Sequence, residues 1–257
     1  MAERVASERR IHDREWLRAH LGEERRRTEL LGEIREALFG TQDGLTSTVA
    51  VVTTVGAATS NHFAVVVAGM ASALAGVFSM AIGEYTGSKA QREIYDHEIE
   101  EEREEVRERR DEAVAEVAYM LEEEGLAPDV AARVADQLGT NENALLKTMV
   151  EKEHAISFEA GPGPLQGALI MGLAFGVGSL PPLIPYIVLP PGTALVPSVV
   201  LSGIAFFFVG AIKSRWTHRS PLRSGLEVLA LGTFAAIAGY LFGSILPGLL
   251  GVTVPGV

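Results

Sequence analysis

"SMAIGEYTGSKAQREIYDHEIEEEREEVRERR", residues 79–110, passes from an apolar segment into an acidic one with no glycine or proline pair to interrupt it. Read as one helix, it leaves a greasy environment and at once carries a run of carboxylates. Working outward, no charged residue occurs between Asp43 and Glu84, none between Glu159 and Lys213, and Glu227 is the only one after Arg223. Stretches of that length exceed the roughly 20 residues a helix needs to cross a bilayer core. The expected fold is therefore all-α: an integral membrane protein with five transmembrane helices per subunit, at about 38–58, 63–85, 165–189, 194–212 and 224–250.

The chain has 257 residues, 47% hydrophobic and 21% charged, and no cysteine, so disulfides and thiolate metal sites are excluded. Its first 37 residues carry nine Arg and nine acidic residues. That composition lacks the early apolar core of a signal peptide, so insertion is expected to use the first true span. Residues 86–160 hold 21 acidic and 9 basic residues, a net −12 against −11 for the whole chain. A surface this acidic repels nucleic acid and attracts cations.

Orientation follows from Lys and Arg in short connections. "KSRWTHRSPLR" after the fourth span has four basic residues, whereas "TSNHF" and "LPPGTALVP" have none. The positive-inside rule then places that linker, the amino terminus and residues 86–160 in the cytoplasm, and the carboxyl terminus outside or in a lumen. Four segments result: a cytoplasmic amphipathic helix at 1–37, spans one and two at 38–85, a cytoplasmic acidic domain at 86–160, and spans three to five at 161–257. The acidic domain reads as three helices. The first continues span two to about Glu124, the second is "APDVAARVADQLG" with Pro128 near its first turn, and the third is "NENALLKTMVEKEHAISFE" with Asn141 as N-cap. "GPGP" at 161–164 then forces a break before span three.

On a helix, Glu98, Glu102, Glu105, Glu112 and Glu116 fall within less than a quarter-turn, broken only by Arg109. Stacked like charges destabilise a helix by a few tenths of a kcal/mol per pair unless neutralised. A bound divalent metal would neutralise them, and so would Glu–Arg pairs on a solvated face. Met149, Glu153 and His154 on the third helix add ligands of the right kind, since a thioether beside carboxylates favours a borderline metal over Mg or Ca. Met149 also suits ordinary core packing. Glu151 and His154 form the Glu-x-x-His unit of di-iron bundles, but that chemistry needs a second copy, which the chain lacks.

Within the spans, Asp43 lies about five residues into span one, and Met80 and Glu84 lie at a similar depth in span two. Ionisable residues at membrane depth are costly and usually line a pathway, so these three are candidate transport ligands. The plainer alternatives are that Asp43 caps the first membrane helix and that Glu84 sits among headgroups. Gly69, Ser72, Ala73, Gly76, Gly83 and Gly87 make a small-residue ribbon on span two that permits close helix approach. Pro181, Pro182 and Pro185 are expected to break or bend span three. Glu227 is a weaker candidate. No P-loop, dinucleotide fingerprint or Ser/His/Asp grouping occurs, and no enzymatic activity is expected.

"GTQDGLTSTVAVVTTV", "ALAGVFSMAIGEYTGSKAQRE", "MVEKEH" and "PLQGALIMGLAFGVGSLPPLIPY" together resemble the vacuolar iron transporter family. The resemblance implies a homodimer in a lipid bilayer that exports cytoplasmic Fe(II), and often Mn(II), in exchange for protons through a path between subunits. It implies that Asp43 and Met80 are pore ligands and that Glu84 belongs to the same element. It further implies that Glu102, Glu105, Glu112, Glu116, Met149 and Glu153 bind metal in the cytoplasmic domain. Val150 stands where the family often has a second methionine, and Ser72 where some relatives have an acid. Co, Ni and Zn(II) accept the same ligand types. A prokaryotic cell membrane is expected from the Ala, Gly and Arg richness, or a vacuolar membrane if the source is eukaryotic. The alternative reading is a membrane-anchored metal sensor or scaffold whose spans conduct nothing.

Overall fold

The computed structural model describes residues 13–155, 163–190 and 192–249, the side chain of Pro247 excepted. Residues 1–12, the end of the third cytoplasmic helix at 156–159, Gly161 and Pro162 of "GPGP", residue 250 of the fifth span and the tail "GVTVPGV" lie outside the described residues. Among those described there are eight helices and no strand: α1 (Arg14–Ala58), α2 (His62–Glu108), α3 (Arg110–Glu123), α4 (Pro128–Gly139), α5 (Glu142–Glu153), α6 (Pro164–Val188), α7 (Leu195–Thr217) and α8 (Pro221–Leu249). The chain forms two units, Met1–Tyr85 with Pro164–Val257, and Thr86–Gly163.

In the first unit α1 is the hub, packing on α6, α7 and α8. Asp13 starts it, its carboxylate accepting from the amides of Glu15 and Trp16 at 2.9 and 3.3 Å. The sequence reading separates an amino-terminal helix from span one at residue 37; the structure instead runs one helix through that point. Asp43 is accordingly far from either end of α1 and caps nothing. The buried face of α1 is Gly40, Gly44, Leu45, Thr48, Val49, Val52 and Thr53. Two hydroxyls of α1 bond locally, Ser47 donating to the Asp43 carbonyl and Thr53 to the Val49 carbonyl, both at 2.7 Å, whereas the buried Thr48 hydroxyl has no hydrogen-bond partner.

Close backbone approach is what this face achieves. A Cβ on Gly44 would lie 2.1 Å from the Phe175 carbonyl oxygen of α6, and one on Gly243 of α8 would lie 2.0 Å from the Thr54 oxygen of α1. Thr54 also donates across to the Gly239 carbonyl at 2.9 Å. Small residues and interhelical hydroxyl bonds are how membrane helices associate where lipid tails are as apolar as leucine.

Four helices among the described residues are long and apolar enough to cross a membrane: α2, α6, α7 and α8. The segment 38–58 of α1 is helical but too polar to join them, carrying Gln42, Asp43 and five Thr. The opposite holds for α2, whose apolar stretch is only 11% buried. Phe63, Val67, Leu74, Phe78 and Ile82 stand exposed along it. Pro181, Pro182 and Pro185 do not break α6, which continues to Val188. The Ser198 hydroxyl donates to the Pro182 carbonyl at 2.7 Å, tying α7 to this proline-rich stretch.

The second unit has its own core of Val106, Ala113, Val117, Leu121, Ala131, Ala135, Leu145, Leu146, Met149 and Val150. Asn141 caps α5 by accepting from the Ala144 amide at 3.2 Å, and Gly125 supplies the positive φ of 99° that turns the chain after α3. The helix expected to run unbroken to Glu124 does not. It stops at Glu108, and Arg109, with φ −128° and ψ 44°, separates α2 from α3. Arginine is a good helix former, so propensity does not mark this joint; the apolar residues flanking it, Val106 and Ala113, are both drawn into the core.

Overpacking a tight contact costs about 1–3 kcal/mol, and for a chain of this size each kcal/mol moves the midpoint by about 2–4 °C. Gly44→Val is therefore expected to lower the Tm of the detergent-solubilised protein by about 5 °C or more. Gly22→Ala, where a Cβ meets nothing within 4 Å, should leave it unchanged or raised when both are measured by intrinsic fluorescence.

Candidate metal centre

The acidic unit sorts its carboxylates into two groups. Several outer acids are paired with basic side chains: Arg109 spans the partly buried Glu105 at 2.8 Å and the exposed Glu112 at 3.3 Å, and Arg107 reaches Glu142 at 2.8 Å. These pairs contribute little stability. The inner group lacks such partners. Glu102 is 8% exposed, with Oε1 3.0 Å from His154 Nε2 and Oε2 buried without a hydrogen-bond partner. Glu98 lies on the other side of the same ring, its Oε2 3.8 Å from Nδ1. Glu102, Glu153 and His154 each bring a ligand atom within 4.8 Å of the other two.

The joint at Arg109 explains how Glu116 takes part. On one straight helix, 14 residues would put Glu102 and Glu116 about 21 Å apart along the axis. Instead Glu116 holds its proton more tightly than an ordinary glutamate, through partial burial and then through the charges of Glu105, Glu153, Glu112 and Glu102. Glu116 thus feels the charge of Glu153 on α5 as well as the acids of its own run. Glu153, still solvent-accessible, is raised by desolvation and by Glu102, an effect His154 opposes. His154 is raised by its hydrogen bond to Glu102.

Met149 is fully buried in the apolar core beside Val150. Glu151 turns to Lys147 at 3.6 Å, so the Glu-x-x-His spacing does not operate as a unit. Val150, in place of a possible second thioether, fills core volume.

The first unit holds a separate cavity of about 260 Å³ lined by Arg35, Glu36, Phe39, Ser79, Met80, Gly83, Glu84 and Met171. Met80 and Glu84 therefore share one wall on successive turns of α2. Asp43 is not among the lining residues; it lies half-buried on α1, one turn beyond Phe39. Two lining residues with metal-ligand chemistry, Glu36 and Met171, escaped the sequence reading. Glu36, with a buried Oε2 lacking a hydrogen-bond partner, falls just before the predicted span, and Met171 looks like any apolar residue of α6. Two carboxylates and two thioethers around one small space suit a divalent cation of borderline softness.

The sequence model of the VIT family matches residues 34–244. The chain belongs to the VIT family. Its relatives include vacuolar iron transporter 2 of Oryza sativa subsp. japonica, 32% identical over 232 residues that cover 90% of this chain and 94% of that one. Vacuolar iron transporter 1 of Arabidopsis thaliana is 33% identical over 211 residues, 81% of this chain and 84% of that one. The counterpart from Eucalyptus grandis is 32% identical over the same length, covering 81% and 85%. Both the inner carboxylates and the cavity liners fall within the matched VIT region.

Glu116, Glu153 and His154 all hold protons more firmly in the folded protein than their unfolded values of about 4.3 for Glu and about 6.5 for His. Each contributes stability that is complete below the unfolded value and lost as pH rises through the folded one. Metal-free protein should therefore show faster hydrogen exchange in α3 and α5, after correction for intrinsic rates, as pH rises from about 5 to about 8. A divalent metal should flatten that dependence by replacing the protons.

Proposed function

We propose that this protein carries Fe(II), and Mn(II) as well, out of the cytoplasm across a membrane in exchange for protons. Membership of the VIT family, together with relatives named as vacuolar iron transporters, supports iron as the substrate. The observation that carries the reading is the cavity in the first unit that combines Glu36, Glu84, Met80 and Met171. A membrane anchor or sensor has no use for carboxylates and thioethers there, since each charged group at membrane depth is costly.

In this reading the segment 38–58 is a fifth crossing, shielded by α6, α7 and α8 and hence free to be rich in Thr and Gly. The exposed apolar face of α2 supports a second subunit packing there, with the path between the two copies. The amino terminus and the acidic domain lie in the cytoplasm and the carboxyl terminus on the far side, following the basic linker at 213–223. The acidic domain, built as helices α3, α4 and α5 on the end of α2, concentrates cation by its net charge and its inner carboxylates. Asp43, Met80 and Glu84 replace part of the ion's hydration shell within the membrane. Carboxylates bind either metal or proton, so binding one expels the other, and antiport follows from shared ligands. Co, Ni and Zn(II) are accepted by the same groups.

Proteoliposomes loaded with a metal-sensitive dye test this directly. Wild-type protein should move Fe(II) and Mn(II) under an opposing proton gradient and only slowly without one. Asp43→Ala should reduce transport to background, whereas Glu102→Ala and Glu105→Ala should retain transport at saturating metal and weaken capture by about tenfold or more. Equal rates for wild type and Asp43→Ala would reject the pathway assignment.

A further inference from the structure

One imidazole of the acidic unit, that of His154, faces its inner carboxylates, and its surroundings are those of a ligand. His154 caps the carboxyl end of α5, and Ala155 follows it with a left-handed φ of 53°, so the ring is held where α5 ends. Its Nε2 lies 3.0 Å from Glu102 Oε1. Metal bonds of about 2.0–2.2 Å to nitrogen and oxygen place adjacent ligand atoms about 3 Å apart, so this pair already has the separation of two neighbours on one ion. Glu153 needs only a short inward movement, since all three ligand atoms are within 4.8 Å of one another.

A hydrogen bond from the ring satisfies only half of the Glu102 carboxylate. Its Oε2 remains buried without a partner on a side chain with 10% exposure, an arrangement that costs free energy until something fills it. A cation in front of Glu102 would engage that oxygen, offset the repulsion from Glu153, and take the place of the proton between Nε2 and Oε1.

We propose that His154 is a metal ligand, and that Glu102, Glu153 and His154 form a mixed carboxylate–imidazole site selecting borderline transition-metal ions over Mg(II) and Ca(II). This rests on the reading of the acidic unit as a metal-binding domain. Imidazole is a favoured donor for Fe, Ni and Zn, whereas an all-carboxylate site suits Mg, Ca and Mn.

Full-length protein in detergent, stripped of metal and loaded with Mn(II), provides the test by pulsed electron paramagnetic resonance. Nitrogen-14 modulation from a bound imidazole is expected in wild type and in His97→Gln, whose exposed ring merely pairs with Glu101 at 3.5 Å. It should vanish in His154→Gln. That variant should also lose Ni(II) and Zn(II) affinity by about tenfold or more while losing less for Mn(II), a metal-dependent split that a packing defect would not produce. Hydrogen exchange of α5 checks that it remains folded. Modulation that is absent in wild type, modulation that survives His154→Gln, a uniform loss across metals, or no metal bound to this unit would each overturn the proposal. Nitrogen ligation without liposome transport would sink the transport reading alone; transport without nitrogen ligation would sink this assignment alone.

Discussion

Van der Waals distance between helix backbones is the constraint on which the membrane unit rests. Lipid gives α1 no hydrophobic reason to associate with its neighbours, so contact has to come from fit and from interhelical hydrogen bonds. Gly44 and Gly243 remove the Cβ atoms that would collide with the Phe175 and Thr54 carbonyls, and Thr54 closes the bond to Gly239. Once α1 is seated, its middle presents Arg35, Glu36 and Phe39 to Met80, Glu84 and Met171. The cavity thus depends on the same close packing that seats α1.

The acidic unit solves a different problem. Its core buries ten apolar residues, among them Met149 and Val150, and that burial holds like charges near one another in spite of their repulsion. Arg109 takes up Glu105 and Glu112, and His154 faces Glu98 and Glu102. An assembly that keeps inner carboxylates apart from the outer ion pairs is prepared for a cation at moderate cost to its own stability, because the unpaired groups can hold protons when no metal is present.

Much of this was legible from residue order. Charge-free stretches marked α2, α6, α7 and α8, and Asn141 and Pro128 marked two helix starts. Glu102, Glu116 and Glu153 stood out by type and spacing. What stayed hidden depends on side-to-side neighbours. Met171 and Glu36 acquire meaning only when α1, α2 and α6 meet, and neither sits in an unusual local pattern. The joint at Arg109 has no glycine or proline to announce it, so the acids looked like a stripe. His154 drew attention as part of Glu-x-x-His, whereas its partner is 52 residues away at Glu102.

The break at Arg109 also makes the unit sensitive to the phase of the chain. Beyond it, each residue added ahead of Glu116 would rotate that carboxylate by about 100° around the α3 axis. A single-residue insertion in this turn would swing Glu116 away from Glu153 while leaving composition and net charge nearly untouched. Length between the joint and Glu116 is therefore as much a specification of the centre as the identity of its acids.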